Sequence, residues 1–191
     1  MAKKKLSRDQ KRKLKKRKVQ QQKRQHIIKR KEKEKQHMAN AIEQNRLQKT
    51  RIMQVFGVED EEDIPATDTS TVRIYGDYLK TQLQLPCLLK GIESIGYFGW
   101  EERFEFGYGT QTEYAQLRKE RGALADQFLL EDFEVNIKPG LFGNAPDIWV
   151  SVKRTDDGKR FEIPLSELET VAQNSDNQRL LSDYTVWYVN W

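Results

Sequence analysis

The stretch Ile148–Ile163, IWVSVKRTDDGKRFEI, decides how this chain folds. Ile148-Trp149-Val150-Ser151-Val152 and Phe161-Glu162-Ile163 are strand-forming runs, and Asp156-Asp157-Gly158 lies between them. Asp-Gly supplies the positive φ angles that a tight reversal needs, so the stretch predicts a β-hairpin. Working outward, Phe128 to Ile137 predicts a strand ended by Pro139-Gly140, and Leu85 to Leu89 a short strand ended by Gly91. Phe104, Phe106 and Tyr108 alternate with Arg103, Glu105 and Gly107, the period-2 mark of a half-buried strand. Helical spacing appears from Thr71 to Leu83, through Val72, Tyr75, Tyr78, Leu79 and Leu83, and again through Leu180, Tyr184, Trp187 and Trp191. Glu113 to Glu120 reads as a polar helical turn, and Ser166-Glu167-Leu168-Glu169 as a capping box opening another. The expected fold class is α+β: a small SH3-like, partly open β-barrel flanked by short helices.

That domain, 70–191, holds all four tryptophans, all seven tyrosines and every phenylalanine but Phe56. Ahead of it, Val58-Glu59-Asp60-Glu61-Glu62-Asp63-Ile64-Pro65 opens an acidic linker expected over 58–69, and 1–57 is a tail of very different composition. From Met1 to Arg51 there are 21 Lys and Arg against Asp9, Glu32, Glu34 and Glu43, about +17. The remainder has 13 basic and 25 acidic residues, about −12, so the net charge of +5 conceals two oppositely charged parts.

Ser7-Arg8-Asp9-Gln10 fits a capping box, and Lys, Arg, Gln and Glu with no Pro or Gly before Gly57 predict one long helix, frayed in its N-terminal half. A weak apolar stripe through Met38, Ile42, Met53 and Phe56 ends at Gly57. Lys11, Arg12, Lys13, Lys15, Lys16, Arg17, Lys18, Lys23 and Arg24 are the expected nucleic-acid contacts, gripping phosphates of a structured RNA such as ribosomal RNA, or of another polyanion. With no aromatic residue before Phe56, the tail has nothing to stack on bases, so charge neutralisation is its expected role.

His26 and His37 are the only histidines and both lie in the tail. No imidazole in the domain can activate Ser94, Ser151, Ser182 or Cys87, which argues against Ser-His or Cys-His catalysis and against a Cys/His zinc site. Phe106-Gly107-Tyr108-Gly109-Thr110 lacks the third glycine and the strand-to-helix setting of a nucleotide loop. No enzyme activity, haem, zinc or nucleotide is expected. A single cysteine fits a reducing compartment, no apolar run reaches membrane-span length, and the N-terminus lacks a secretory core, so a cytoplasmic protein without membrane contact is expected.

Tyr78-Leu79-Lys80-Thr81-Gln82-Leu83-Gln84-Leu85-Pro86-Cys87 resembles the helix-to-strand opening of the cyanobacterial-type calcium-binding protein family. Ile148 to Arg154 with Phe161 to Glu169 resembles that family's C-terminal hairpin and its Pro-Leu-Ser turn, and Tyr184 to Tyr188 resembles its closing aromatic helix. The likeness covers about two-thirds of the domain, from about Val72 to Trp191, and none of the tail. It implies a small SH3-like calcium-binding fold. Calcium is coordinated by oxygen and needs no histidine. The candidate ligands are Glu101, Glu102, Glu105 and Asp132, and no segment matches an EF-hand loop. The aromatic and charged segment Tyr97 to Arg103 is the expected edge for a protein partner.

Overall fold

The computed structural model describes the backbone of residues 8–93, 96–141, 145–173 and 175–191, with side chains from residue 29 onward except Glu32 and Glu34. The chain divides into two compact units, Met1–Leu47 and Gln48–Trp191. Helix α1, Arg8–Phe56, is 49 residues long and supplies the first unit almost entirely. Its composition of strong helix formers explains that continuity. Within Met1–Leu47 every described side chain is exposed. Met38 and Ile42 are 68% and 66% exposed, so the first half of the expected apolar stripe buries nothing. The capping box at Ser7 and Gln10 lies outside the described residues.

The second unit opens with the final turns of α1. Ile52 is fully buried, and Met53, Val55 and Phe56 pack against the core. The helix stops where Gly57 takes φ 67°: Val58 N donates to Met53 O at 3.1 Å and Gly57 N to Gln54 O at 3.4 Å. That is the pairing of a Schellman cap, and a side chain at Gly57 would strain it. Ile64 is 5% exposed, and Pro65 O accepts from Trp187 Nε1 at 3.1 Å. Helix α2, Thr69–Gln82, is capped by Asp68, whose carboxylate accepts from Ser70 N at 2.7 Å and Thr71 N at 2.9 Å. It buries Val72, Tyr75 and Leu79.

Strands β1 (Cys87–Gly91), β2 (Gln127–Leu130), β3 (Ile137–Pro139), β4 (Pro146–Arg154), β5 (Arg160–Pro164) and β6 (Leu168–Thr170) form one antiparallel sheet. Thr155 N and Trp149 N donate to Gln127 O and Asn136 O along one edge of β4, whereas Arg154 N donates to Lys159 O along the other. Strands β2 and β3 therefore share one side of β4, with β5 opposite. Phe128 faces Arg154 and Ile137 faces Ile148, so the ten residues from Phe128 to Ile137 are matched against seven on β4. The surplus three residues bulge and bend the sheet. This corrects the single strand expected over Phe128–Ile137: the bulge turns Phe133 into the core at 3% exposure.

The sheet also curls. Strand β5 pairs with β4 and β6 with β1, at opposite ends of the order, yet only the 3-10 turn Leu165–Glu167 separates them. In a flat sheet those strands would stand about 19 Å apart at about 4.8 Å per step, beyond the roughly 14 Å that four residues span. The result is an open half-barrel, α+β as expected. Helices α2 and α5 (Asp176–Asn190) pack with it, and Trp187, Tyr184, Tyr75 and Phe56 form the aromatic centre. Tyr75 stacks on Trp187 at 5.0 Å, and Phe56 lies 5.1 Å from Trp187.

Two further expectations are corrected. Phe104 to Tyr108 is not a strand: a 3-10 turn, Gly96–Glu101, runs into the short helix α3, Glu102–Glu105, followed by α4, Gln111–Glu120. Phe104 packs 5.2 Å from Tyr114 and 6.1 Å from Trp100, whereas Phe106 and Tyr108 are 67% and 81% exposed. The alternation therefore lacks the buried face that makes it a strand signal. Ser166 to Glu169 opens no helix either. Ser166 Oγ donates to Asp147 instead of capping, and Leu168–Thr170 is drawn into β6 by pairing with β1. Among the described residues no helix is long and apolar enough to cross a membrane.

Candidate functional site

The nine basic positions from Lys11 to Arg24 lie on the helical backbone of α1, and their side chains lie outside the described residues. They occupy about 20 Å of helix axis at 1.5 Å per residue. Positions 11, 15 and 18 share one face, 12, 16 and 23 another, and 13, 17 and 24 a third, so charge is distributed around the axis. Nine charges over about 20 Å approach the one phosphate per about 1.7 Å of a duplex. Farther along, Lys29, Arg30, Lys31, Lys33 and Lys35 are exposed.

The expected calcium ligands stand on separate segments. Glu101, Glu102 and Glu105 follow one another along the turn into α3, whereas Asp132 belongs to the bulge between β2 and β3. Glu101 already accepts from Tyr114 Oη at 2.7 Å and from Leu124 N at 2.6 Å, one bond to each oxygen. Asp132 accepts from Phe133 N at 2.8 Å, and Glu102 and Glu105 are exposed. Among the described residues, no group of three or more His, Cys, Asp or Glu is arranged to hold a metal. In the segment expected to meet a partner, Phe98 and Trp100 are buried and Trp100 Nε1 donates to Gly122 O at 2.9 Å, so these rings hold the connection together.

A cleft that the sequence did not announce opens beside the 3-10 turn. Its volume is about 330 Å³, and strand β4, that turn, helix α5 and the chain around Ile92 and Gly140 wall it. At its base Asp147 is 1% exposed. Its Oδ1 accepts from Tyr184 Oη at 2.5 Å and from Ile148 N at 2.7 Å, and its Oδ2 accepts from Ser166 Oγ at 2.6 Å. Burial pushes the Asp147 carboxyl up, and those hydrogen bonds act against the rise. Burial and the Asp147 and Glu167 carboxylates likewise push the Tyr188 hydroxyl up.

Glu167 lines the same cleft. Burial pushes its carboxyl up to about 7, the Asp147 and Glu93 carboxylates add to the shift, and a hydrogen bond from Tyr97 N opposes it. Gly96, at φ 68°, backs onto Glu167 so closely that a Cβ would collide with the carboxylate. The folded chain thus holds this proton to higher pH than the unfolded chain, whose carboxyl titrates near 4.5. Glu167 therefore favours the fold at low pH and costs stability as pH rises from about 4.5 to about 7. Glu167→Gln is expected to stabilise the protein above pH 7 by about 1–2 kcal/mol, discounted for solvent screening, and to flatten that part of the profile. Urea unfolding at pH 5 and pH 8 measures it, and equal stability of both proteins at pH 8 would contradict it.

Asp147, Ser166, Glu167 and Tyr188 come from three separated parts of the chain. The one local clue was an acid, Asp147, directly ahead of the apolar run Ile148–Val150. No known protein family, curated protein or solved structure matches this chain.

Proposed function

We propose that this is a non-enzymatic, cytoplasmic binding protein in two parts. The basic segment Lys11–Arg24 of α1 binds the phosphate backbone of a structured RNA, ribosomal RNA being the leading candidate, and the acidic half-barrel docks a second partner. The observation that carries this reading is the concentration of 18 Lys and Arg against four acids, about +14, on one helix whose described side chains are all exposed as far as Leu47. Such charge has no structural use in a core and supports electrostatic, weakly sequence-specific binding. The half-barrel is read as SH3-like because a kinked second strand, a hairpin and a 3-10 turn lead into a last strand that returns to the first.

Replacing Lys11, Arg12, Lys13, Lys15, Lys16, Arg17 and Lys18 together with Gln in the full chain is expected to weaken binding to a labelled ribosomal RNA hairpin. The slope of log K against log salt should fall by about 0.9 for each phosphate that is no longer neutralised. An unchanged slope would reject these residues as the grip.

Calcium binding by the domain is the second reading, favoured by its surplus of acids and carried by the family resemblance of its hairpin and closing helix. Glu101, Glu102, Glu105 and Asp132 are its proposed ligands. Calcium titration of Gln48–Trp191 in moderate salt tests it: binding that survives salt and fails in Glu102→Gln and Glu105→Gln supports it, and no heat of binding rejects it.

A further inference from the structure

The cleft beside the 3-10 turn brings Glu93, Asp147 and Glu167 together, and among the described residues no Lys or Arg lines it. Its rim is apolar and open: Ile92, Leu141 and Val189 are 40%, 39% and 72% exposed. The Thr185 hydroxyl, in the same wall, is shut off from solvent and has no hydrogen-bond partner among the described residues. A buried hydroxyl without a partner is unfavourable, and so is the half-buried Glu167 carboxylate beside the exposed Glu93 and the buried Asp147; the clustered carboxylates favour an incoming cation. The raised proton affinity of Glu167 comes first from burial, and the Asp147 and Glu93 carboxylates add to it, which marks the cleft as electronegative.

We propose that this cleft is the docking site for a partner protein that inserts one lysine or arginine side chain. Its methylene stem lies against Ile92, Leu141 and Val189, and its cationic head meets the carboxylates of Glu93 and Glu167. Long basic side chains combine an apolar stem with a charged tip in this way, and the volume suits one such side chain with its flanking backbone. A calcium ion suits the cleft less well. It requires six to eight oxygens, and both oxygens of Asp147 are already committed to Tyr184, Ile148 and Ser166. The inference rests on the reading of the half-barrel as a docking module and gives that module a site.

The test is a nitrogen-15 NMR titration of the full chain at physiological salt with three peptides, acetyl-Leu-Lys-Leu-amide and its arginine and norleucine analogues, and separately with calcium chloride. The lysine and arginine peptides are expected to shift the amides of Ile92, Ser166, Thr185 and Val189, with the norleucine peptide at least about tenfold weaker. Glu167→Gln, which keeps the fold, should weaken the lysine peptide by about tenfold or more. Glu162→Gln, at an exposed position of β5, should change it by less than about twofold. Equal binding of the norleucine and lysine peptides would overturn the proposal, as would displacement of the lysine peptide from those amides by calcium. Cationic binding that maps elsewhere on the half-barrel and ignores Glu167→Gln would overturn the cleft while leaving the docking module standing. No binding of either cationic peptide would remove both.

Discussion

A fragment beginning at Ile64, although it carries the whole sheet with α2 and α5, is expected not to hold the native fold, whereas a fragment beginning at Gln48 is. The difference is the last two turns of α1. Ile52 is fully buried, and deleting an aliphatic side chain at such a site costs about 2–5 kcal/mol. Phe56 adds ring packing at 5.7 Å from Tyr75 and 5.1 Å from Trp187. Arg51 donates from Nε and Nη2 to the Asp183 carboxylate at 2.6 and 2.8 Å, and Asp183 is 4% exposed. Stranding that carboxylate costs about 3 kcal/mol or more. These losses together rival the whole 5–15 kcal/mol margin of an ordinary domain. Near-ultraviolet circular dichroism and thermal melting of the two fragments measure the effect. Matching melts would contradict it, and Ile52→Ala in the longer fragment should by itself lower stability by about 2–5 kcal/mol.

Asp126→Ala is expected to cost about 3–5 kcal/mol. Asp126 is 4% exposed and satisfies three groups: Arg118 Nη1 at 2.7 Å, Arg154 Nη1 at 3.2 Å and Ala123 N at 2.8 Å. Arg154 is itself buried, lies 4.9 Å over the Phe161 ring and is held from its other side by Asp157 at 2.6 and 3.0 Å. This network fastens the end of α4 and the chain before β2 to the tip of the β4–β5 hairpin. Removing its central carboxylate leaves one guanidinium short of charge inside the protein and one amide without an acceptor, and neither can turn to water. Asp126→Asn keeps the shape and part of the bonding, so it should cost less. Urea unfolding of Gln48–Trp191 variants gives the comparison, and a loss below about 1 kcal/mol for Asp126→Ala would show the site is wet or redundant.

The hairpin and the helices α2, α4 and α5 were legible because local patterning and burial agree there. Val150 and Val152 alternate with Ser151 and sit on the buried face, and Tyr184 and Trp187 share one face of α5. Phe104 to Tyr108 misled because a period of two fixes a strand only when a neighbouring strand accepts it; here Phe104 packs in a separate small cluster with Trp100 and Tyr114, while Phe106 and Tyr108 are exposed. Ser166 to Glu169 misled because Asp147, nineteen residues earlier, takes the serine hydroxyl. The bulge and the curl follow from register between strands, which no single segment encodes. The cleft was illegible for the same reason, since Glu93, Asp147, Glu167 and Tyr188 meet only after the sheet has curled. The tail was the opposite case, because its charge needs no tertiary partner to be read.

The most direct test of the two-part account compares the full chain with Gln48–Trp191 for binding to a labelled structured RNA across a salt series. The account predicts that only the full chain binds at physiological salt, with a slope corresponding to about 4–8 neutralised phosphates. Equal binding by both proteins, or none by the full chain, would contradict it.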